Sequence, residues 1–115
     1  MDRHARLREL YVAFNARDAD AVIAALAEDV RWPNAWEGGE LHGHAAVRDY
    51  WRRQWAEIEP TVEPIAITDR QDGTVAVEVH QTVRDHGGTV LGEGTVTHVY
   101  AFEGDHVASL DVEEA

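Results

Sequence analysis

The chain has 115 residues, 44% of them hydrophobic and 28% charged, the proportions of one folded domain rather than of a disordered segment. Ten basic residues against 22 acidic ones leave a formal charge of −12, which repels phosphodiester backbones and anionic lipid and makes nucleic acid and membrane surfaces poor partners. With no cysteine, the chain has no disulfide, no thiolate metal centre and no cysteine nucleophile.

The opening residues, Met1-Asp2-Arg3-His4-Ala5-Arg6, lack the apolar stretch of a secretion signal, and no run of 18 apolar residues follows, so the expected location is the cytoplasm. Leu7, Leu10, Tyr11 and Phe14 are spaced i, i+3, i+4, i+7 and predict an amphipathic helix, broken at Asn15-Ala16-Arg17-Asp18. Asp18 is placed to cap a second helix carrying Val22, Ile23 and Leu26. Val30-Arg31-Trp32 reads as a short extended piece before Pro33. An irregular stretch from Asn34 to Gly43 precedes a third helix with Val47, Trp51, Trp55 and Ile58 along its buried side, ending before Pro60. Beyond Pro60 the period changes from 3.6 to 2. Four strand-like runs are separated by turns at Asp72-Gly73, His86-Gly87-Gly88 and Glu103-Gly104-Asp105, the chemistry of tight antiparallel connections. Helices followed by a meander make one α+β domain spanning residues 1–115.

Several segments resemble the SnoaL-like, ketosteroid-isomerase-like branch of the nuclear transport factor 2 superfamily. They are Tyr11-Val12-Ala13-Phe14-Asn15-Ala16-Arg17-Asp18, Ala27-Glu28-Asp29-Val30, Gly43-His44-Ala45-Ala46-Val47-Arg48-Asp49-Tyr50 and Thr97-His98-Val99-Tyr100-Ala101-Phe102-Glu103-Gly104. The resemblance implies a cone-shaped fold in which three N-terminal helices pack on a curved antiparallel sheet around a pocket. In ketosteroid isomerase that pocket holds an aspartate base and a tyrosine–protonated aspartic acid pair on the enolate oxygen. Aligned on the quoted segments, the tyrosine falls on Leu10, with Tyr11 one helical step (100°) away, the base on Asn34 and the acid on His98. All three groups differ, so steroid isomerisation is expected to be absent.

Alternation sets Val96, His98, Tyr100 and Phe102 on one strand face, pointing at the helices. His98 is either a satisfied core histidine or the acid, base or oxygen-pinning donor of the site. Trp32, Trp36, Trp51 and Trp55 cluster around the loop and the third helix. Trp51 and Trp55 read as core, and Trp36, in a Gly-flanked loop, as a gate or ligand wall. Asn34 is either a turn cap or a ligand contact, and Glu37 either an exposed carboxylate or a base. Val79 and Gln81 share a face of the preceding strand, where Gln81 is able to bond a ligand or His98. Leu10, Tyr11 and Phe14 form the opposite wall. His42, His44, His80 and His86 lack a convincing metal spacing, and neither a metal nor a cofactor is expected. The lining suits a small apolar or aromatic molecule. Three functions stay open: a cofactor-independent isomerase, cyclase or lyase, a non-catalytic ligand-binding pocket, and an interaction module. A homodimer through the outer sheet face, where Val99 and Ala101 lie beside Thr95 and Thr97, is expected.

Overall fold

The computed structural model describes residues 2–34 and 37–114. Helix α1 (Arg3–Asn15) starts at Asp2, whose carboxylate accepts the His4 backbone N–H at 2.9 Å and so satisfies a first-turn donor. Its stripe packs as the spacing predicts: Leu7, Leu10 and Tyr11 are buried, and Phe14 lies partly buried against them. The helix is followed by Arg17 at φ 60°, a left-handed conformation that costs a non-glycine residue energy. Contacts offset that cost. The guanidinium donates to the Phe14 carbonyl at 3.3 Å and lies 5.9 and 5.5 Å from the ring centres of Phe14 and Trp55.

Helix α2 (Ala19–Ala24) is capped by Asp18, which accepts the Ala21 N–H at 3.2 Å. It is shorter than its apolar spacing predicts, because Leu26 opens strand β1 (Leu26–Pro33) instead of continuing the helix. Sheet pairing overrides local spacing here: Leu26 pairs with Val107, and the Val107 N–H donates to the Ala25 carbonyl at 2.9 Å. A three-residue strand, β2 (Glu40–His42), folds back on the end of β1. Helix α3 (His44–Glu57) follows Gly43, which sits at φ 85° and donates to the Val30 carbonyl at 2.9 Å. Val47, Tyr50 and Trp51 are its buried face. Ile58, expected on that face, is already extended, since Pro60 holds the residue before it out of the helical region and β3 begins at Glu59.

Strands β3 (Glu59–Asp69), β4 (Val75–Arg84), β5 (Val90–Glu103) and β6 (His106–Glu114) form the expected meander. The sheet order is β2-β1-β6-β5-β4-β3, with β1 parallel to β6 and the other neighbours antiparallel. Edge strand β3 tolerates Pro60 and Pro64, which lack the N–H an interior strand would need. Its free side is claimed at Val62 by Asn15. The Asn15 Nδ2 donates to the Val62 carbonyl at 2.7 Å, and the Val62 N–H donates to Asn15 Oδ1 at 2.9 Å. That double bond fastens the end of α1 to the sheet.

The inward face of the curved, unclosed sheet carries Val75, Val77 and Val79 on β4, Tyr100 on β5 and Leu110 on β6, all buried. The architecture is the expected α+β one. On the outer face Ala76 and Val99 are buried too, and two bidentate pairs stand there: Arg31 with Asp111, and Arg70 with Glu113. Among the described residues no helix is long and apolar enough to cross a membrane.

Candidate functional site

Strand β5 alternates, so His98 and Tyr100 both point inward. Val77 and Val112 flank His98 across the sheet, and Val75 and Leu110 flank Tyr100. From α1, the buried Tyr11 reaches down between them. Its hydroxyl lies 2.8 Å from His98 Nδ1, and the Tyr100 hydroxyl donates to the Tyr11 oxygen at 2.7 Å. The rings fix this geometry: Tyr11 and His98 are nearly parallel (13°) at 5.9 Å, and Tyr100 stands edge-on to both.

Counting protons assigns the imidazole. Two phenol hydrogens serve the two links when Nδ1 is bare. A proton on Nδ1 would put a third hydrogen into two links and strand one of them in a dry interior. Tyr11 therefore donates to Nδ1, and the His98 proton sits on Nε2. Burial also pushes the His98 pKa down from 6.5 to about 4, so the ring is neutral at physiological pH. Burial raises both tyrosines well above their ordinary value, with Tyr100's proximity adding to the rise at Tyr11. The chain is a set of neutral donors and acceptors ending on an N–H.

Trp32, Trp51 and Trp55 pack together as core. Trp51 is 1% exposed and meets Trp32 edge-on at 5.7 Å, stacks on Trp55 at 5.8 Å and takes the edge of Phe14 at 5.9 Å. Leu10 is buried in the same core cluster. Tyr11, one step round the helix from Leu10, meets His98 from its Nδ1 side.

Asn34 is 8% exposed and organises its own loop. Its Oδ1 accepts the Glu37 N–H at 2.8 Å, its Nδ2 donates to Glu37 Oε1 at 3.1 Å, and its carbonyl accepts the Gly38 N–H at 2.8 Å. Glu37 is exposed, and its other oxygen is bound by Arg53 of α3, which also holds Asp49. The hydrogen bond from Arg53, then that from Asn34, keeps the Glu37 carboxyl below the usual range. Trp36, expected at the mouth of the site, lies outside the described residues.

A family model described as a SnoaL-like domain matches residues 7–110. The chain belongs to the SnoaL-like family. Its fold is shared with an NTF2-like protein of unknown function from Burkholderia pseudomallei, at 28% identity and a TM-score of 0.85, covering 100% of this chain and 92% of that one. TerC, crystallised with polyporic acid, is 17% identical with a TM-score of 0.84 (98% and 91% covered). SalBIII is an epoxide hydrolase/cyclase-like enzyme of pyran ring formation in the polyether salinomycin. It is 23% identical with a TM-score of 0.81 (98% and 90% covered). No curated protein matches the sequence.

In this SnoaL-like domain Gln81 does not meet His98. Register places Val77 opposite His98 and Gln81 opposite Gly94, four residues further along β5, or about 13 Å at 3.3 Å per residue. Val79 is fully buried between those rows. Phe102 follows an irregularity in the β5–β6 pairing and carries the Arg3 guanidinium 4.8 Å above its ring. The histidines outside the site are dispersed: His44 bonds the Leu26 carbonyl, His86 the Ala56 carbonyl, His80 faces Glu93 and His42 faces Glu40. Two surface clefts, of about 760 and 420 Å³, lie away from His98. The first runs between α2, β1 and the β5–β6 turn, and the second beside the β3–β4 turn. Val112 faces inward opposite His98 and is 40% exposed.

Proposed function

We propose that this SnoaL-like domain binds a small, largely apolar molecule bearing a carbonyl or enol oxygen and acts on it without a cofactor, as an isomerase, cyclase or lyase. The observation that carries this reading is the Tyr100–Tyr11–His98 chain, which presents a neutral imidazole N–H from inside an apolar interior. Such a donor stabilises the negative charge that grows on oxygen as an enol or enolate forms, and does so more strongly where water is excluded. It needs no protonation to work, because the N–H is present in the neutral ring. Glu37 is the carboxylate nearest Asn34, and Arg53 and Asn34 hold it as a weak base. That favours substrates whose C–H bond is already acidic, flanked by two carbonyl groups. The TerC–polyporic acid and SalBIII structures support a small-molecule site in this fold, through likeness of fold alone.

Steroid isomerisation is not expected. Asn34 closes its own loop, Leu10 offers no hydroxyl, and the acid position holds a neutral histidine. A non-catalytic pocket is the second reading, favoured by the ion pair that occupies Glu37.

The test is hydrogen–deuterium exchange at the central carbon of a cyclic 1,3-diketone, followed by NMR beside a tryptophan-fluorescence binding titration. Exchange accelerated by the wild-type chain and lost in His98→Ala supports the enzyme. Binding that weakens in His98→Ala with no acceleration in either chain supports the binding reading. Binding unaffected by His98→Ala would sink both.

A further inference from the structure

The inward face of β5 carries Tyr100, His98 and Val96 and then, at Gly94, no side chain at all. A glycine inside a strand gives up packing and conformational entropy. It marks a bulge, a backbone angle that only glycine adopts freely, or the close approach of another backbone or of a ligand. The first two reasons do not hold at Gly94. The β4–β5 register runs unbroken from Val83↔Gly92 through Gln81↔Gly94 to Val75↔Tyr100, and Gly94 is not among the residues at positive φ. Nor does another backbone come close, since a side-chain carbon built on Gly94 meets no atom within 4 Å beyond its chain neighbours. A ligand is the reason left. The β5–β6 pairing stops at Val96↔Glu114, so among the described residues Gly94 has a strand neighbour on the β4 side only. That neighbour, Gln81, is half-buried on the same inward face, and its carboxamide bonds none of the described residues.

We propose that the ligand is elongated and two-ended. Its carbonyl oxygen sits on the His98 Nε2–H, its apolar body lies over Val96, and a neutral polar group at its far end bonds the Gln81 carboxamide above the bare backbone of Gly94. This rests on the function reading above, since it takes His98 as the oxygen-binding group. The four residues from His98 to Gly94 span about 13 Å at 3.3 Å per residue, so the strand itself sets the distance between the two polar ends. A carboxamide has two N–H donors and a carbonyl acceptor, and it therefore selects an amide or hydroxyl over a hydrocarbon end. Valine 96 has no polar atom and gives the body of the ligand an apolar bed. Missing side-chain volume at Gly94 admits the far end, and the Gln81 amide chooses its chemistry.

The experiment titrates three ketones against wild type, Gln81→Leu, Gly94→Val and His98→Ala. They are 10-oxoundecanamide (ketone and amide at opposite ends), 2-undecanone (the same chain without the amide) and cyclohexane-1,3-dione (too short to reach Gly94). Binding is read from tryptophan fluorescence and from the backbone amide resonances of Gly94 and His98. The wild-type chain should bind 10-oxoundecanamide at least tenfold more tightly than 2-undecanone, with the Gly94 resonance shifting. Gln81→Leu should reduce that preference to less than threefold. Gly94→Val should weaken 10-oxoundecanamide at least tenfold and leave cyclohexane-1,3-dione within about threefold. Valine suits an extended backbone, so this variant should fold, and the Gln81→Leu arm stands without it. An unmoved Gly94 resonance, or a wild-type preference kept in Gln81→Leu, would overturn the two-ended ligand while a loss of binding in His98→Ala kept the function reading. Equal binding of all three ketones by His98→Ala and wild type would overturn the function reading and the two-ended ligand with it.

Discussion

The Tyr11 hydroxyl lies 2.8 Å from His98 Nδ1, and that contact decides which imidazole nitrogen keeps its proton. Replacing Tyr11 by Phe strands two groups at once, the His98 Nδ1 and the Tyr100 O–H. At about 1–3 kcal/mol for each unsatisfied buried group, the expected loss is about 2–6 kcal/mol in urea unfolding. Tyr100→Phe leaves only a spare lone pair on Tyr11 and should cost about 1 kcal/mol. In nitrogen-correlated NMR the wild-type His98 should carry its proton on Nε2, and Tyr11→Phe should show both tautomers. A wild-type proton on Nδ1 would refute the assignment.

The depressed His98 pKa makes a pH prediction with a definite sign. The folded value is about 4 against 6.5 in an exposed histidine, so between those values the unfolded chain takes up a proton that the fold refuses. Stability should therefore fall as pH drops below about 6.5, and His98 accounts for about 3 kcal/mol of the loss by pH 4. His98→Gln keeps an acceptor for Tyr11 and removes the titration, so its stability should change less over that window. Parallel curves for the two chains would show that His98 titrates normally.

Much of this was legible in the sequence because two periods carry it. The 3.6-residue stripe Leu7–Leu10–Tyr11 and the two-residue alternation His98–Tyr100 each predict the face that is buried. What stayed hidden depends on pairing at a distance. Leu26 fits a helix by spacing and becomes a strand only because Val107 lies beside it, and β2 is three residues long, too short to show a period. Tyr11 aligns one step away from the family tyrosine, and only the packed structure reveals that its hydroxyl meets His98.

Asn15 is a further test of what holds the fold together. Its amide makes two bonds to the backbone of Val62 at the free side of β3. Asn15→Ala removes both and should lower stability by about 1–3 kcal/mol. Asn15→Asp keeps the acceptor but loses the donor, and should fall between the two chains. Amide exchange at Val62 should quicken in the alanine variant. An unchanged exchange rate would show that the strand edge is protected by other contacts.

A homodimer is expected through the outer sheet face, with Thr95, Thr97 and Ala101 at the contact. Light scattering should give about twice 12.8 kDa at micromolar concentration. Thr97→Arg, directed at that contact, should return the monomer. A wild-type chain of 12.8 kDa under these conditions would rule the pairing out.

The strand made last in the chain, β6, lies in the interior of the sheet between β1 and β5. During synthesis the α1–α2 hairpin, β1 and α3 are complete long before the strand that joins them to the meander exists. The two halves must wait, with the inner edges of β1 and β5 unpaired, until residues 106–114 arrive. Such long-range closure folds slowly and leaves sticky edges exposed. A nascent chain arrested before His106 should therefore remain protease-sensitive and bind chaperones, and both properties should vanish together once β6 is free to enter.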